Sequence, residues 1–70
     1  MKDAYTAVIK NADPWWIGWI EEVPGVNCQE RSKAELIVSL RETLREALEY
    51  NRQDALNAAG DGFEETTISL

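Results

Sequence analysis

Cys28 is the single thiol in a chain of 70 residues that contains no histidine, and those two facts bound the chemistry available to it. A nucleophilic thiol or hydroxyl needs an activating neighbour, and none is evident beside Cys28. Without histidine there is also no His/Cys set with zinc-ligand spacing, and one cysteine cannot form an intrachain disulfide. Glu21-Glu22 and Glu64-Glu65 are adjacent acidic pairs, but neighbours in an extended strand point to opposite faces, so neither pair builds a two-carboxylate site. Gly60-Asp61-Gly62 is the only glycine cluster, and it follows a helical stretch instead of opening one, so it does not form a phosphate cradle. Arg41, Arg45 and Arg52 are interspersed with Glu42, Glu46 and Glu49, the composition of a solvated helix face. The sequence therefore leads us to expect no catalytic residue, no cofactor and no metal, and hence a protein that is not an enzyme.

The residues that stand out instead are suited to contact. Trp15, Trp16 and Trp19 lie close together and are followed directly by Glu21 and Glu22. Tryptophan is enriched at the centres of protein interfaces, where a large ring fills a desolvated pocket, and carboxylates beside such rings favour a basic partner. These five residues are the candidate protein-binding set.

The elements that must position them follow from local composition. Tyr5 to Lys10 is rich in β-favouring residues and gives way to Asn11-Ala12-Asp13-Pro14, which has the composition of a turn. A second β-type run spans Trp15 to Val23, and Pro24-Gly25 ends it. Val26 to Arg31 reads as a third short strand. Ser32-Lys33-Ala34-Glu35 has the form of a capping box at a helix start. Beyond it Ile37, Leu40, Leu44, Ala47 and Leu48, flanked by Leu36, recur at spacings of three and four, with the charges largely opposite. The helix is expected to end between Asn51 and Ala59, ahead of Gly60 and Gly62. Glu64 to Leu70 carries β-branched residues with partial alternation and predicts a last strand. The expected fold is α+β in the order β-β-β-α-β. It is a single domain over residues 1–70, with a three-stranded antiparallel sheet, one long helix on one face and a short C-terminal strand at the sheet edge.

Within the second strand, alternation sends Trp15, Ile17 and Trp19 one way and Trp16, Gly18 and Ile20 the other. Both faces carry large apolar groups, and one helix covers only one face of a small sheet. A second copy or a different protein is expected to cover the remainder, so homo-oligomerisation as a dimer or tetramer is anticipated; small domains commonly need such support.

Thirteen acidic residues against seven basic ones give a net charge of -6, which opposes direct binding to nucleic acid or anionic lipid and suits a basic protein partner. The N-terminal MKDAYTAVIK holds no apolar signal core, and no stretch is apolar enough to span a membrane, so a cytoplasmic location is expected.

Taken in order, Tyr5-Thr6-Ala7-Val8-Ile9, the run Gly18-Trp19-Ile20-Glu21-Glu22-Val23-Pro24-Gly25-Val26 and the capped helix containing Leu44-Arg45-Glu46-Ala47-Leu48 resemble the HicB family of antitoxin domains. The resemblance covers about 60 residues. It implies a partial RNase H-like fold with a last strand at the sheet edge. It further implies an antitoxin of a type II toxin–antitoxin pair that neutralises a small, basic, mRNA-cleaving HicA-type toxin by covering its active surface. Many members continue into a C-terminal DNA-binding domain; no such domain is expected in these 70 residues. The competing expectation is a stand-alone homo-oligomeric scaffold of the same fold without a toxin.

Overall fold

The computed structural model describes residues 4–70; residues 1–3 of the stretch read for a signal core lie outside the described residues. Strands β1 (Ala7–Ala12), β2 (Trp15–Ile20) and β3 (Asn27–Glu30) precede one helix, α1 (Lys33–Ala59). The strands form an antiparallel sheet in the order β1-β2-β3, and α1 packs on β2 and β3. The α+β class and the three-stranded sheet with a single long helix are as the sequence predicts.

Strand boundaries depart from the sequence reading for reasons visible in the ladder. β1 begins two residues later than predicted and runs on through Asn11 and Ala12, because these pair with Trp16 and Trp15 and the cross-strand bonds override the turn composition. The turn then narrows to Asp13-Pro14, whose peptide bond is cis. β2 stops at Ile20 and not at Val23: the chain bends at Glu21, and Val23 and Val26 turn inward to become core residues. Gly25 makes this corner with a φ of 92°, a left-handed conformation that side chains with a Cβ rarely adopt.

Ser32 caps α1 with its side-chain oxygen accepting from the Glu35 N–H at 3.1 Å, the serine half of the capping box. The core consists of Ile20, Val23, Val26, Leu36 and Leu40, with Tyr5, Ile9, Trp16, Cys28, Leu44, Ala47 and Leu48 packed around it. Leu36, read from sequence as a flank, is the most buried residue of the helix, whereas Ile37 is 41% exposed. The inward stripe thus takes Leu36 in place of Ile37, while Leu40, Leu44, Ala47 and Leu48 face inward as read.

The helix ends at Ala59, the far limit of its expected range, where the Gly60 N–H donates to the Leu56 carbonyl at 3.3 Å. Tyr50 and Asn51 border a shallow groove with Pro24, Gly25 and Val26 at the end of the sheet, so the turns that follow project past it. The resulting molecule is 51 Å long and 15 Å thick. The predicted last strand is a correction: residues 60–70 join no ladder, and Phe63, Ile68 and Leu70 are exposed. Alternation and β-branching favour extended backbone, but a strand also needs a neighbour, and the overrun of the helix carries this segment away from its own sheet.

Candidate protein-binding face

Residues opposite one another in an antiparallel ladder project to the same side of the sheet. The register Ala7↔Ile20, Ile9↔Gly18 and Asn11↔Trp16 on one side, with Cys28 and Glu30 of β3, therefore defines the face beneath α1. Gly18 is essential to that packing. A Cβ there would stand 3.0 Å from Leu40 Cδ1 and 3.0 Å from the Val8 carbonyl oxygen, so Leu40 of the helix packs into the space that β2 leaves by having no side chain there. Polar groups at this interface are paired: the Ser39 hydroxyl donates to Glu30 Oε2 at 2.7 Å, and Cys28 Sγ lies 3.4 Å from Thr43 Oγ1. Cys28 is half-buried in this packing.

The opposite face has no covering element among the described residues. It presents Trp15, Ile17 and Trp19 along β2, Val8, Lys10 and Ala12 along β1, and Asn27 and Gln29 along β3. Trp19 is 39% exposed, and Trp15 and Ile17 are half-buried by their neighbours. The guanidinium of Arg31 lies over the Trp15 ring, 4.6 Å from its centroid, a cation–π contact that holds the ring against the sheet. Ile17, Trp19, Asn27 and Gln29 line a shallow depression on this side. Such a patch can exclude water against a second protein surface; it is too open to enclose a small molecule.

The five candidate residues separate on this geometry. Trp15 and Trp19 lie together on the uncovered face. Trp16 is on the other side, packed against the core beneath the helix, as strand alternation requires. Glu21 is exposed where β2 ends, with its N–H bonded to the Thr6 carbonyl at 2.9 Å. Glu22 is engaged within the chain: its carboxylate accepts from the Thr6 N–H at 2.8 and 3.1 Å and ties the entry of β1 to the corner after β2. Sequence reasoning overlooked Val8, Lys10 and Arg31. Alternation through Val8 and Lys10 could have placed the first two, but the seating of Arg31 on Trp15 depends on a register that composition does not reveal.

No group of three or more His, Cys, Asp or Glu residues among those described is arranged to hold a metal ion. No helix among the described residues is long and apolar enough to cross a membrane. Comparison of the chain with protein-family models, curated proteins and solved structures returned no match.

Proposed function

We propose that this chain acts by protein–protein contact, as a HicB-like antitoxin domain that self-associates and masks a small basic HicA-type toxin, without catalysis of its own. The observation that carries this reading is the uncovered sheet face, on which Trp15, Ile17 and Trp19 form an apolar strip that the single helix leaves open. Aromatic rings of this kind supply the anchors of an interface, and surrounding polar groups exclude water around them. A net charge of -6 draws a basic partner by long-range attraction. Of the acidic pair, Glu21 is the candidate rim residue, because Glu22 is engaged with Thr6.

The test is co-expression with a small basic protein encoded beside this chain, followed by purification and an RNA-cleavage assay. A stoichiometric complex that suppresses cleavage by the partner, and that is lost on Trp19→Ala, supports the reading. Recovery of the chain alone, with cleavage unaffected, would overturn it.

A stand-alone homo-oligomeric scaffold is favoured by a different observation. The open face carries Lys10 and Arg31 near its centre and one end, and cations there suit an acidic surface such as another copy of this chain. Both readings predict self-association, so capture of a basic partner distinguishes them: the antitoxin forms a stoichiometric complex on co-expression, whereas the scaffold is recovered only as its own oligomer.

A further inference from the structure

The outer edge of β1 pairs with no strand among the described residues. Because the Thr6 carbonyl accepts from Glu21 across the sheet, alternation turns the backbone N–H and C=O groups of Ala7, Ile9 and Asn11 outward, an open template for another strand. Helix α1 packs over β2 and β3, so it leaves a groove of about 360 Å³ beside β1, lined by Tyr5, Ala7, Ile37, Leu40, Arg41 and Leu44. The exposure of Ile37 is the signature of this offset.

Residues 63–70 complement this edge. The segment alternates so that Glu64, Thr66, Ile68 and Leu70 fall on one side and Phe63, Glu65, Thr67 and Ser69 on the other. Laid along β1 with the first set toward the helix, it places Ile68 and Leu70 against the Ile37 and Leu44 groove, and Glu64 on the side of Arg41. Glu65 then lies on the side of Lys10. The whole stretch from Gly60 onward holds Asp61, Glu64 and Glu65 and no base, matching the cations on either side of the β1 edge.

The single chain leaves both halves of this pairing unused: residues 60–70 join no ladder, and Ile68 and Leu70 stay exposed. The β1 edge of one copy is therefore open to the tail of another.

We infer that residues 64–70 of one copy add as a fourth strand to the β1 edge of a second copy, with Ile68 and Leu70 seated in the groove between β1 and α1. Two copies exchanging tails in this way make an isologous pair. The inference rests on the self-association in the proposed function and specifies its site; it leaves the Trp15/Trp19 face free for a different partner.

The test combines sedimentation equilibrium with isotope-filtered NMR on a mixture of labelled and unlabelled full-length chains. Contacts between the Ile68 methyl groups of one copy and those of Ile37 or Leu44 of the other are expected. Truncation after Phe63 and, separately, Ile68→Asp should each weaken dimerisation at least about tenfold. The substituted residues are exposed in the single chain, so neither change should unfold it; circular dichroism checks this. A monomeric full-length chain, Ile68 contacts confined within one copy, or a dimer unchanged by truncation would each overturn the inference. Capture of a basic partner, measured separately through the Trp19 variant, reports on the proposed function whatever the oligomer result.

Discussion

Leu40 packs directly over Gly18, where a Cβ on the glycine would stand 3.0 Å from the leucine Cδ1. The leucine end could shift, but the Val8 carbonyl oxygen, also 3.0 Å away, belongs to the backbone of the paired strand. Gly18→Ala is therefore expected to destabilise the fold by about 1–3 kcal/mol through overpacking. Urea unfolding is the check, and a variant as stable as the parent would show that helix and sheet slide apart without cost.

The tryptophans should divide sharply when each is truncated. Trp16 packs against the core, and Trp16→Ala is expected to cost about 2 kcal/mol or more by opening a cavity under the helix. Trp19 lies on the uncovered face, and Trp19→Ala should change stability by no more than roughly 0.5 kcal/mol. Under the proposed function the order reverses for partner capture, with Trp19→Ala the more damaging. Paired measurements of melting and binding separate the two roles; equal stability losses would contradict the assignment of faces.

Glu22 is expected to behave as a structural residue. Its carboxylate accepts the Thr6 N–H, and Glu22→Ala should cost about 1 kcal/mol and loosen the start of β1. Glu22→Gln retains an acceptor and should lose less. Amide exchange at Thr6 gives a direct readout, and unchanged protection in the alanine variant would remove this role.

Ser32 initiates the helix through its bond from the Glu35 N–H. Ser32→Ala should lower stability by about 1 kcal/mol, and Ser32→Asp should preserve it because aspartate caps equally well. Thermal melts of the two variants side by side make the comparison, and equal losses would show that the hydroxyl is not acting as a cap.

Much of this arrangement was legible in the sequence because local chemistry and tertiary packing agree there. Ser32 to Glu35 marks the helix start, Pro24-Gly25 marks the corner, and the alternation of Trp15 through Ile20 assigns each side chain to a face. Boundaries moved where pairing overruled composition: Asn11 and Ala12 read as turn residues, yet Trp15 and Trp16 across the ladder hold them in β1. The choice of Leu36 over Ile37 at the start of the helix stripe depends on where the helix rests over the sheet. Residues 64–70 show the limit most plainly, since alternation encodes a readiness to be a strand but not the edge that receives it. For the candidate site, the tryptophans and Glu21 could be chosen by residue type, whereas the involvement of Glu22 with Thr6 and of Arg31 with Trp15 required the fold.

Because Leu36 and Leu40 are buried near the start of α1 while its last turns extend past the sheet, the two ends of one continuous helix are held by different means. The first half is locked to global unfolding through the core. The second depends on backbone hydrogen bonds that each lengthen an existing helix without nucleating a new one. Protection against solvent exchange should consequently decline along the helix from Leu40 toward Ala59, and the distal turns can fray and re-form while the sheet stays intact. The molecule thus holds a core-locked half and an independently opening half within a single secondary-structure element.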